Sequence, residues 1–122
     1  FFTLADKDKQ RAVDLIRRFY DLGFNIEATS GTAKYLKENG IKTRVKKKIS
    51  EGSSEILDSI RKGHITYIVN TLTTSDNSNR DGYQIRRCAV ENNVTVFTSL
   101  DTVNVLLNIL EEITMQVSCI DD

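Results

Sequence analysis

Short apolar, β-branched runs alternate along this chain with segments of helical period, and that alternation leaves few folds open. F-F-T-L (1–4), F-N-I-E-A-T (24–29), T-R-V-K-K (43–47), I-T-Y-I-V-N (65–70) and T-V-F-T (95–98) read as strands. Between them, 8–22 reads as a helix with Ala12, Leu15, Ile16 and Phe19 on one face. Further helices are expected over 32–39, over 54–62 with Ile56, Leu57 and Ile60 inward, over 83–91, and over 101–113 on Val103, Leu106, Leu107 and Leu110. There is no proline, so the stops are glycines: Gly23, Gly40 and Gly63. Strands separated by helices need right-handed crossovers. The expected fold is therefore α/β: three layers, with a five-stranded, mostly parallel sheet and helices on both faces. Lysines place 43–47 at an edge, and 65–70, the most strand-like run, is expected to be central. The stretch 71–82 is polar and mobile in character, and the residues after Met115 read as an exit tail.

With 122 residues the chain suits one domain, 1–122, with one core. Seventeen basic against seventeen acidic residues give no net charge, so nothing global points to nucleic acid or a membrane surface. No apolar run approaches the roughly 20 residues that span a bilayer. The start, F-F-T-L-A-D, lacks Met, is too short for a signal peptide and falls inside a strand, so a piece of a longer protein is expected. Cys88 and Cys119 lack metal-ligand spacing, and His64 is the only histidine, so no metal and no cofactor are expected. Reduced thiols suit a cytoplasmic setting. Cys88 reads as a small core residue on a helix, Cys119 as incidental, and His64 as a surface residue at the far end of the sheet.

In such a sheet, ligands bind outside the carboxyl ends of the strands, near the point where strand order reverses. Those ends carry A-D-K-D-K, T-S-G-T, K-K-K, N-T-L-T-T and T-S-L-D-T: lysines, hydroxyls, an amide and a glycine, with no paired carboxylates. The turn Thr29-Ser30-Gly31-Thr32 opens a helix, where free N–H groups and the helix dipole favour an anion. Gly31 permits close approach, and Thr29 and Thr32 can donate hydroxyl hydrogens. The same residues also make an ordinary helix cap. Lys9 near the start of the first helix opposes the dipole, a small sign of a nearby anion, or is simply solvated. Of Lys46, Lys47 and Lys48, alternation separates the faces. Asn70 is either a turn former or a ligand contact, and Arg80 reads as free.

The stretches A-D-K-D-K (5–9), G-F-N-I-E-A-T-S-G-T-A (23–33), K-K-I-S-E-G (47–52), I-V-N-T (68–71) and R-D-G-Y-Q-I-R-R-C-A-V (80–90) carry a resemblance. The chain resembles the methylglyoxal-synthase-like domain, and within it the C-terminal allosteric domain of the carbamoyl-phosphate synthetase large chain. The resemblance covers most of the chain. It implies a site for a phosphorylated effector, with UMP, IMP and phosphoribosyl pyrophosphate all open, and a role in arginine or pyrimidine synthesis. It implies phosphate contacts at Lys9, Thr29, Thr32, Lys48 and Asn70, alongside Ser30 and Gly31 of the turn. A further family threonine falls on Leu72, so Thr71 or Thr73 is expected to replace it. A contact to ornithine would fall near Thr98. The implied partners are the rest of the large chain and its glutaminase small subunit, and relatives that self-associate put a homo-oligomer among the expectations.

The superfamily also holds an enzyme, methylglyoxal synthase, that removes phosphate from dihydroxyacetone phosphate and needs a carboxylate base. The matching position here is Ser53, which cannot abstract that proton, and Glu51 is close in sequence but not at the matching position. No catalytic residue is therefore expected. A lyase acting on dihydroxyacetone phosphate stays as the alternative. A purely structural cap that associates through Val105 or Ile109 is the third reading.

Overall fold

The computed structural model describes the backbone of residues 1–49, 52–71 and 76–121, and side chains for 1–49, 52–71 and 82–115. Ten elements follow in strict alternation: β1 (Phe2–Thr3), α1 (Asp6–Asp21), β2 (Ile26–Thr29), α2 (Ser30–Glu38), β3 (Thr43–Lys46), α3 (Glu55–Arg61), β4 (Tyr67–Asn70), α4 (Asp76–Glu91), β5 (Thr95–Phe97) and α5 (Leu100–Asp121). The five strands form one sheet in the order β3-β2-β1-β4-β5, and every pairing is parallel. The expected α/β architecture is the observed one.

Alternation along the strands sorts the core into two layers. Phe2, Leu4, Ile26, Ala28 and Val69 pack with α1, α2 and α5 through Ile16, Phe19, Leu36, Val103 and Leu107. Phe1 and Ile68 face the other way, against Ile56 and Ile60 of α3 and Ile85, Cys88 and Ala89 of α4. Each wholly buried Ile or Leu contributes about 1.5–3 kcal/mol of burial. Cys88 is a buried free thiol, its Sγ 3.8 Å from the Leu57 carbonyl oxygen, as its core reading requires.

Several boundaries differ from expectation. β4 is interior, yet the middle strand is β1, the shortest of the set with β5 at the edge. In α1, Val13 is buried in addition to the expected face, on which Leu15 packs partly buried against the core, because the inward face is wider than one row of side chains. α4 begins at Asp76, inside the stretch expected to be a loop. Polar composition there signals contact with water, and the helical period is carried only by Ile85, Cys88 and Ala89 at the far end. Leu72 to Ser75 lie outside the described residues, as do Ser50 and Glu51. The exit tail is helical: α5 runs to Asp121, through a stretch with neither glycine nor proline to stop it. Gly40, at φ +81°, turns the chain out of α2 in the left-handed region that glycine occupies without strain.

Candidate anion site

The connection from β1 runs outward to β2 and β3, then returns to β4 and β5 on the other side of β1. The reversal leaves a crevice between the carboxyl ends of β1 and β4, where the site is expected to lie. Two side chains close its floor. Thr71 Oγ1 accepts the Ala5 N–H at 2.8 Å, and Thr32 Oγ1 accepts the Leu4 N–H at 3.3 Å. Both threonines are buried. Each therefore holds the chain where it leaves β1 and enters α1, and each keeps one O–H to donate.

The turn at 29–32 is drawn tighter than the sequence suggests. α2 starts at Ser30, two residues early, so Thr29 is the cap position and Ser30, Gly31 and Thr32 form the first turn. Thr29 is buried, but its hydroxyl makes no capping bond. First-turn N–H groups of a helix have no partner within it, so these remain donors. Lys9 reaches over this turn. A Cβ on Gly31 would lie 3.5 Å from the Lys9 ammonium. A cation facing a helix N-terminus is unfavourable by about 0.3–1 kcal/mol, and a second helix, α1, begins beside it. The carboxylate that offsets this is Asp6, whose Oδ1 lies 2.6 Å from Lys9 Nζ on a side chain 95% exposed. The hydrogen bond and charge of Lys9 hold the Asp6 carboxyl below its ordinary 3.8, and the charge of Lys48 adds to the effect. Lys48, half-buried, therefore belongs to the same neighbourhood.

Asn70 ends β4 and is 5% exposed, with no partner for its Nδ2 among the described residues. Pairing brings Thr3 level with Asn70 on one side and, through the Phe2–Ala28 partnership, level with Thr29 on the other. Thr29, Thr3 and Asn70 thus form a row on one face at the carboxyl edge. Thr3 was not anticipated, although its place in F-F-T-L puts it in that row. Arg86 was missed as well. It stands one helical turn after Gly82 in α4, away from the α2 turn, with a buried Nη1 that has no partner among the described residues.

Other expected residues fall elsewhere. Lys46 is turned along β3 to Glu27, Nζ to Oε2 3.3 Å. Ser53 Oγ accepts the Glu55 N–H at 3.2 Å and so serves the start of α3. His64 is exposed beyond α3, and Thr98 is exposed after β5. The side chains of Arg80 and Cys119 lie outside those described, as do Leu72 and Thr73. A cavity of about 460 Å³, lined by Phe1, Ile26, Glu27, His64 and Tyr67, lies at the opposite, amino-terminal ends of the strands. It opens where β2 and β4 extend past the start of β1.

The arrangement can hold an anion by two helix N-termini, two lysines, hydroxyls and an amide. Among the described residues, Asp6 is the carboxylate at its rim and is committed to Lys9, no group of three metal-ligating side chains occurs, and no helix is long and apolar enough to cross a membrane. The family model of the MGS-like domain matches residues 11–98. Among solved structures, the chain is similar to methylglyoxal synthase from Elizabethkingia anophelis NUHP1. The TM-score is 0.71 at 19% identity, over 87% of this chain and 74% of that one. At that identity the likeness speaks to the fold.

Proposed function

Because the chain belongs to the MGS-like domain family, we propose that it is the allosteric regulatory domain of a carbamoyl-phosphate synthetase large chain, binding a phosphorylated effector such as UMP, IMP or phosphoribosyl pyrophosphate. The observation that carries this reading is the Lys9 ammonium lying over Gly31 at the uncapped start of α2, with the buried, unpartnered Asn70 amide across the crevice. Positive groups and donors converge there, and among the described residues the carboxylate that reaches them is the exposed Asp6, on Lys9. Ser53, at the position where the related enzyme carries its base, is engaged with the backbone of α3. The site therefore holds a phosphate and leaves it intact.

The effector acts by binding the active and inactive states of the whole synthetase unequally. Its partners in that role are the rest of the large chain and the glutaminase subunit. Calorimetric titration with UMP, IMP and phosphoribosyl pyrophosphate tests the reading. At least one binds, and Lys48→Ala weakens it. Heat from none of the three, or methylglyoxal released from dihydroxyacetone phosphate, overturns it.

A further inference from the structure

Two buried donor atoms lie beside Gly82, with no acceptor for them among the described residues. A Cβ at Gly82 would lie 2.8 Å from Asn70 Nδ2 and 3.2 Å from Arg86 Nη1, so both groups crowd the space that the missing side chain leaves free. Neither nitrogen has a hydrogen-bond partner among the described residues. Burying an unpaired amide or guanidinium donor is costly, and the cost is largest for the charged one. Among the described residues, no carboxylate pairs with Arg86. The neighbouring Arg87 takes Glu91, at 3.2 Å, and Asp6 is held by Lys9. Arg86 as a whole is only partly buried, so solvent reaches the rest of its guanidinium; an anionic oxygen satisfies both donors at once, and the charge favours it over a neutral acceptor.

We propose that Asn70 and Arg86 form a second anion seat, on the α4 side of the crevice, and that the ligand carries two acidic groups: one at the α2 turn and one here. The inference rests on the phosphate-site reading above and extends it. The seats belong to β2 and β4, two strand spacings apart, or about 10 Å along the sheet. A small molecule with acidic groups at both ends spans them, and a single phosphate does not. Arg86 is then the residue that separates doubly from singly charged ligands. Gly82 is required because any side chain would fill the seat.

The test is calorimetry on the chain with ribose 5-phosphate and ribose 1,5-bisphosphate. The wild type is expected to bind the bisphosphate about tenfold or more tightly, the gain of one charge-assisted contact. Arg86→Gln removes that preference and leaves monophosphate affinity within about twofold, while Arg86→Lys keeps part of it. Gly82→Ala removes it too, with Arg86 in place and in a helix where alanine is favoured over glycine. Ligand-free Arg86→Gln melts no lower than the wild type, because it loses an unpartnered donor. A preference that survives both Arg86→Gln and Gly82→Ala overturns the proposal, as does equal weakening of both ligands. If the wild type binds the monophosphate without preferring the bisphosphate, as a water in the gap would produce, only this inference falls. If it binds neither, the phosphate-site reading falls with it.

Discussion

Replacing Thr71 by valine tests how the crevice is held together. Thr71 is 6% exposed, and its Oγ1 accepts the Ala5 N–H at 2.8 Å. Ala5 is 8% exposed and precedes α1, so its N–H has no route to water once that oxygen is gone. Valine keeps the shape and deletes the hydroxyl, and with it the acceptor of the Ala5 N–H. A buried N–H left unpaired costs about 1–3 kcal/mol. For a domain between the small and middle size classes, each kcal/mol moves the melting temperature by about 3–6 °C. Reversible unfolding followed by circular dichroism should therefore show Thr71→Val melting about 3–18 °C below the wild type. Thr71→Ser, which keeps the oxygen, should recover most of the loss. A valine variant melting within about 1 °C of the wild type, or a serine variant no better than valine, refutes the role assigned to this bond.

Asp6→Asn releases Lys9 from its exposed partner. Sulfate binding should tighten by about two- to fivefold, the range of a surface ion pair. The Asp6 carboxyl is depressed, so its charge is present above the ordinary 3.8 and is lost only as pH falls through the lower folded value. The gap between variant and wild type should therefore persist at pH 3.8 and close only below it, in sulfate titrations at stepped pH. Leu36→Ala, at a wholly buried position, should cost about 2–5 kcal/mol in urea unfolding. Gly40→Ala should cost about 1–2 kcal/mol by the same measurement, since open space surrounds a backbone that alanine adopts only with strain. Ile109→Lys, at a site 50% exposed on α5, should stay within about 0.5 kcal/mol of the wild type.

The layer architecture was legible because hydrophobic period and glycine stops state it directly, and Ile16, Ile56, Ile60 and Leu107 lie inward where that period puts them. The start of α4 was not legible: helix and loop share a polar composition when both face water, and a period needs inward residues to be seen. The turn at 29–32 was legible as a cap or an anion site. The position of Lys9 over that turn was not legible, because a contact between two helices that follow neighbouring strands is encoded by no local spacing. Asn70 stood out as an amide ending an apolar strand. Arg86 did not, because one arginine among several on a helix looks solvated until the gap at Gly82 is seen beside it.

The claim that the α2 turn receives an anion is tested most directly by amide chemical shifts. On titration with inorganic phosphate, the amides of Ser30, Gly31 and Thr32 should move together and saturably in the wild type, and much less in Lys9→Ala. If these three amides stay still while the folded spectrum is retained, the turn is a helix start and nothing more, and the account of the site is wrong.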